Sequence, residues 1–156
     1  MLAGGTTVID LDDSNQALVT LEIVQLEGIG EVRIVQTWRD EEVTNLAALL
    51  GGYRIAKVFT LVKSDHLLLC DVVVKREITR WYGWFGIPLW RSTKRPRGLS
   101  LGTRLVRHVL EDARERGLSE VRGMFAPETP EDGVRLEQFY RRLGFVLEGG
   151  TVIYRF

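Results

Sequence analysis

Apolar and polar positions change their period several times along the chain. From Ala17 to Gln25 and from Glu31 to Thr37, Val, Ile and Leu recur as in strands, around the turn residues Glu27-Gly28-Ile29-Gly30, which predicts a hairpin. Asp40-Glu41-Glu42 precedes Val43-Thr44-Asn45-Leu46-Ala47-Ala48-Leu49-Leu50, and Gly51-Gly52 follows. Acids in a first turn and glycine after the last apolar residue predict a short helix there. Lys57 to Lys63 and Leu67 to Ile78, divided at Ser64-Asp65, predict two more strands. Trp81 to Trp90 is apolar at alternate positions on both faces, as expected of a central strand covered on two sides. Pro88 removes a ladder donor within it and predicts a bulge or the point where this strand leaves its neighbour.

The second half reads in longer units. Leu101, Leu105, Val109 and Ala113, flanked by Val106 and Leu110, form an apolar stripe over a helix from Leu101 to Arg116 that Gly117 ends. Val121 to Phe125 is a short strand. Leu136, Phe139, Tyr140 and Leu143 recur at helical spacing before Gly144, and Phe145 to Leu147 with Val152 to Phe156 close the chain as a hairpin around Gly149-Gly150. Strand and helix therefore alternate in an α/β pattern, with a mostly antiparallel first half and one crossover helix between two parallel strands.

Composition narrows the class. At 156 residues, 45% apolar and 27% charged, residues 1–156 read as a single domain with a core of its own. Cys70, inside an apolar run, reads as a small core residue and favours a reducing compartment. His66 and His108 with one cysteine show no metal-ligand spacing, so no metal is expected. Neither a signal-peptide pattern nor a membrane-length apolar run occurs, which predicts a cytoplasmic protein with no membrane partner.

The net charge of zero conceals a split. Residues 1–50 carry nine acids against two arginines, whereas Arg91, Lys94, Arg95, Arg97, Arg104 and Arg107 stand between residues 87 and 110 with no acid among them. These cations surround Arg97-Gly98-Leu99-Ser100-Leu101-Gly102, a small-residue loop running into a helix start. Free N–H groups and the positive helix end make such a loop an anion cradle suited to a pyrophosphate. The loop lacks the Gly-Lys-Ser/Thr ending of a P-loop, and no strand–GxGxxG–helix unit is present. A nucleic-acid partner is not expected, because interleaved Leu and Val commit one face of the helix to the core.

With these residues in place, the chain resembles the GNAT superfamily of acyl-CoA-dependent N-acetyltransferases. The family's Arg/Gln-x-x-Gly-x-Gly/Ala phosphate loop is similar to Arg97-Gly98-Leu99-Ser100-Leu101-Gly102. Its tyrosine shortly before Gly-Phe is similar to Tyr140 in Phe139-Tyr140-Arg141-Arg142-Leu143-Gly144-Phe145. The resemblance covers Trp81 to Phe156 and implies a mixed, mostly antiparallel central sheet with a splayed strand pair and flanking helices. It implies that Trp81 to Trp90 splays from Val121 to Phe125, opening a notch for the pantetheine arm of acetyl-CoA. Leu89, Trp90, Arg97, Gly98, Leu99, Ser100, Leu101, Gly102 and Thr103 would then bind the donor, with Arg95 or Lys94 reaching outer phosphates. Tyr140 would be the acid at the departing sulfur, since a phenol with a reference pKa of about 10 keeps its proton at neutral pH.

Two departures from the family pattern stand out. Ser100 replaces a glycine, and Ala126-Pro127-Glu128 runs where many members carry an asparagine. The strand expected to splay has no carboxylate, so the base stays open among Asp71, Glu77 and Glu128. The acceptor is read only as an amine on a small molecule or peptide, with a homodimer left open. The acidic first third, from Asp10 to Glu42, lies where the family builds its acceptor side. The leading function is acetyl transfer from acetyl-CoA to a primary amine; the alternative is a non-catalytic acyl-CoA-binding or protein-interaction module of the same fold.

Overall fold

The structure, a computed structural model, describes residues 18–75, 78–84, 87–94 and 100–156, the second and third of these ranges by backbone alone. β1 (Val19–Leu26), β2 (Gly30–Arg39), β3 (Val43–Leu50), β4 (Tyr53–Val62) and β5 (His66–Val74) form a meander in which each strand pairs antiparallel with the next. The predicted first hairpin is present.

Val43 to Leu50 is a strand where the sequence predicts a helix. Leu46, Ala48 and Leu50 join the main core, while Ala47 and Leu49 are buried with Val35 on the other face. With both faces covered the two-residue alternation vanishes, and the ladders to β2 and β4 override the helix preference of Leu and Ala. Asp40 serves the preceding turn instead of a helix start: its Oδ1 accepts from the N–H groups of Glu42 and Val43, each at 2.8 Å.

The largest correction concerns Trp81 to Trp90. This segment is divided between β6 (Ile78–Trp84) and β7 (Ile87–Lys94), which among the described residues pair with each other in a separate two-stranded sheet. Apolar residues on alternate positions of both faces mark a two-sided ribbon as well as they mark a central strand, and the antiparallel pairing of β6 with β7 decides between them. The bulge expected near Pro88 does occur. Tyr82 faces Trp90 and Gly83 faces Pro88, leaving Leu89 as the extra residue. The predicted strand Leu67 to Ile78 correspondingly stops at Val74.

α1 (Leu101–Glu115), β8 (Glu120–Met124), α2 (Pro130–Arg142), β9 (Val146–Glu148) and β10 (Thr151–Arg155) complete the order. The main sheet has eight strands, β1-β2-β3-β4-β5-β8-β10-β9, and β5 beside β8 is its parallel pair. The expected crossover through α1 therefore exists, but it starts from β5. Leu101, Leu105, Val106, Val109 and Ala113 of α1 are fully buried against β3, β4, β5 and β8. No helix among the described residues is long and apolar enough to cross a membrane.

The carboxyl end of α1 is fastened by Asp112, whose carboxylate accepts from Arg39 at 2.8 Å, Thr44 at 2.7 Å and Arg116 at 3.0 Å. Burial alone would raise its pKa, yet these donors hold it below the usual carboxylate range.

Candidate functional site

β5 and β8 are paired only from His66↔Glu120 to Leu69↔Gly123. Beyond that point β5 continues beside β4 to Val74, while Phe125 follows β10 through its N–H bond to the Gly150 carbonyl at 2.9 Å. The two strands thus part, and the notch implied by the resemblance would lie between β5 and β8. At the point of divergence Thr60 faces Leu69 and Phe59 faces Asp71, so Cys70 is the extra residue of a bulge. Cys70 is accordingly exposed, where its apolar surroundings predict burial. Leu89 and Trp90, counted in the donor site by the resemblance, lie in β7 of the separate ribbon, whereas Cys70 and Asp71 lie on the strand beside β8.

The start of α1 opens beside this notch. Ser100 holds φ 64° and ψ 10°, a left-handed conformation, and gives no side-chain cap to the helix; the first turn contains no acid. Among the described residues no side chain caps the N–H groups of Leu101, Gly102 and Thr103 at this end. A Cβ at Gly102 would lie 3.4 Å from the Phe139 ring and 3.7 Å from Val74 Cγ2. Helix start, α2 and the far end of β5 thus meet at one glycine. Arg97, Gly98 and Leu99 lie outside the described residues.

Tyr140 is set into α2 from below and above. Gly144 ends the helix at φ 94°, where a Cβ would come within 3.0 Å of the Tyr154 ring, and Phe145 N–H returns to the Tyr140 carbonyl. The Tyr140 ring stands edge-on to Phe139 and Phe145 at centroid separations of 5.1 and 5.3 Å. Only 6% exposed, it is a member of the main core as well. Burial first, and then the negative charge of Asp71, push its hydroxyl up to about 12. The Asp71 carboxylate itself faces Lys57 Nζ on β4 at 3.5 Å.

The other candidates are placed elsewhere or unplaced. Glu77 lies outside the described residues, as do Asp10, Asp12 and Asp13. Glu128 is exposed in the loop before α2. Glu22 is tied to α1 by Arg104 and by His108 Nε2 at 3.0 Å, which makes it a strap between β1 and the helix. Asp65, His66 and Glu120 come within 4.8 Å of one another, a grouping that spacing along the chain does not reveal. Glu120 there already carries Arg122 and Arg155, and His66 Nδ1 meets Asp65 at 2.7 Å. The pairing of Lys57 with Asp71 escapes the sequence reading; the predicted strands Lys57 to Lys63 and Leu67 to Ile78 are its signal, since adjacent antiparallel strands bring such residues face to face.

Comparison with known proteins gives three findings. The acetyltransferase (GNAT) family model matches residues 17–145. Among solved structures, the PaiA N-acetyltransferase of Thermoplasma acidophilum in complex with coenzyme A is similar at 13% identity and TM-score 0.51, over 74% of this chain and 62% of that one. A Bacillus anthracis protein assigned as a streptothricin acetyltransferase, in complex with acetyl coenzyme A, is similar at 17% identity and TM-score 0.56, over 76% and 65%. The ribosomal-protein-S18-alanine N-acetyltransferase of Escherichia coli is similar at 16% identity and TM-score 0.51, over 74% and 68%. This chain thus spans somewhat under two thirds of the first two proteins. No curated protein sequence matches it.

Proposed function

The chain belongs to the GNAT acetyltransferase family, and on that premise we propose that it transfers an acetyl group from acetyl-CoA to a primary amine by direct attack of the amine on the thioester. The observation that carries this reading is the meeting at Gly102 of an acid-free helix start that Ser100 does not cap, the far end of a strand that leaves its parallel partner at a bulge, and the helix that bears the buried Tyr140. The N–H groups at the start of α1 suit the pyrophosphate of the donor, and Lys94, Arg95 and Arg97 precede that start closely in the sequence.

Asp71 is the base of this reading. The nitrogen lone pair forms the N–C bond as the C–S bond breaks; the amine proton passes to Asp71, and the Tyr140 hydroxyl gives its proton to the departing sulfur. These two transfers assist each other. Neutralising Asp71 removes one of the two influences that hold the Tyr140 hydroxyl high, so the phenol becomes a better donor after the base has loaded. Burial and the Asp71 charge also push the Cys70 thiol up, which leaves it a weak nucleophile and favours direct transfer over an acylated cysteine.

Ser100 favours a second reading, a non-catalytic acyl-CoA-binding module, because a left-handed non-glycine residue at the cradle is a strained substitute for the family's glycine. Melting with acetyl-CoA and with desulfo-CoA, followed by turnover of an amine panel read as free CoA thiol, separates the two. Ligand at one hundred times its Kd should stabilise by about 2.7 kcal/mol. Tyr140→Phe keeps the packed ring and should lower turnover roughly 10²- to 10⁴-fold at saturating substrates with donor binding retained. Turnover equal to wild type would remove Tyr140 from the chemistry. A ligand shift with no turnover of any amine would leave the module.

A further inference from the structure

The side of β4 and β5 that carries Asp71 holds a compact set of groups that base chemistry alone does not require. Two cross-strand pairs lie next to each other there, Phe59↔Asp71 and Lys57↔Val73. The charges are diagonal, with Lys57 Nζ 3.5 Å from Asp71 Oδ2 and both side chains close to half exposed. Phe59 is partly buried and Val73 is exposed, so each charge has an apolar neighbour across the ladder.

Resting on the acetyl-transfer reading above, we infer that Lys57 and Asp71 form a receptor for a zwitterion, and that the acceptor is a free amino acid with an apolar side chain. An ammonium ion approaching Asp71 also approaches the Lys57 ammonium, and a simple amine or polyamine brings nothing to offset that repulsion. An α-amino acid carries its carboxylate beside its amine. Its two charged groups exchange with the existing ion pair, the amine onto Asp71 and the carboxylate onto Lys57, so neither protein charge is left without a partner. Phe59 and Val73 then offer apolar surface to the side chain. The bound ammonium first gives one proton to solvent water, which leaves the acceptor a net anion that the Lys57 ammonium keeps in place; as the nitrogen attacks and the C–S bond breaks, its second proton passes to Asp71 while Tyr140 protonates the sulfur. Lys57 is thus a specificity residue and Asp71 the proton acceptor.

The experiment compares L-leucine with 3-methylbutylamine, the same side chain and amine without the carboxylate, and with spermidine. Acetyl-CoA is the donor and CoA thiol release the readout. Wild type should favour L-leucine over 3-methylbutylamine by about 10- to 100-fold in kcat/KM, the worth of one charge-assisted contact. Lys57→Met should bring that ratio towards one through KM for L-leucine, Lys57→Arg should restore it, and Lys57→Glu should turn the preference towards spermidine. Equal use of leucine and its amine by wild type, or equal loss on both acceptors in Lys57→Met, overturns the inference while leaving acetyl transfer intact. Calorimetric titration of L-leucine into the protein with CoA bound decides the matter without turnover. Binding weakened at least tenfold by Lys57→Met supports the receptor, and no binding to wild type at millimolar amino acid refutes it.

Discussion

α1 and α2 begin in opposite ways. α2 starts as a stable helix should: Thr129 Oγ1 accepts from the Asp132 N–H at 3.1 Å, Pro130 follows, and Glu131 and Asp132 place negative charge on the positive end. α1 has none of this. Its N-cap residue is left-handed, its side chain caps nothing, and its first turn holds Arg104 and no acid. With no cap from Ser100 and no acid in the first turn among the described residues, an arriving anion would stabilise that start. The contrast separates an end built for the fold from an end kept ready for a ligand.

The strongest way to break that contrast is to give α1 an acid. Thr103→Glu should leave ligand-free melting unchanged or raise it by up to about 1 kcal/mol through the helix dipole. It should also remove the whole acetyl-CoA shift of about 2.7 kcal/mol at one hundred times Kd. A variant that gains stability and still shifts with acetyl-CoA would place the phosphates elsewhere.

The converse change takes the cap from α2. Thr129→Ala should cost about 1 kcal/mol, or about 2–4 °C in melting temperature for a chain of this size, with the acetyl-CoA shift retained. Loss of the shift would mean that α2 is not independent of the cradle.

The smallest change sharpens the comparison. Ser100→Gly relieves the left-handed side chain and should raise ligand-free stability by about 1 kcal/mol, while acetyl-CoA binding holds or tightens. Destabilisation would show that the Ser100 side chain supports the loop in a way its geometry does not reveal.

What could be read from the chain follows from how locally each feature is determined. The stripe Leu101 to Ala113 and the repeat Leu136 to Leu143 each expose one face, so helical period survives in the sequence; α1 is found within a residue, while α2 begins at Pro130, inside the Pro127-to-Asp132 stretch that reads as a loop. The loop at Ser100 and the Tyr140-to-Phe145 turn are equally local. β3 failed because both its faces are buried, and burial on two sides erases the period that distinguishes strand from helix. The splayed strand failed for a different reason. Which strand lies beside β8 is fixed by sheet order, a long-range property, and a ribbon inserted ahead of α1 displaced the assignment by one strand. Asp71 was named among the bases, yet its position at the notch, the exposure of Cys70 and the Lys57 pairing all depended on a bulge the sequence does not announce. Arg39 and Asp112, 73 positions apart, were beyond reach in the same way.

The four-residue seam between β5 and β8 also bears on how the protein is made. Each pairing in the β1-to-β5 meander is between consecutive strands, whereas His66 finds Glu120 more than fifty positions away. Loop closure makes such a contact slow relative to hairpins, and the meander leaves the ribosome well before α1 and β8 do. The notch therefore comes into being only when the last part of the chain has closed onto the first. A chain arrested after β5 would hold its lysine and aspartate on a finished ladder and still be unable to grip a donor, so ligand binding is a readout of completed folding.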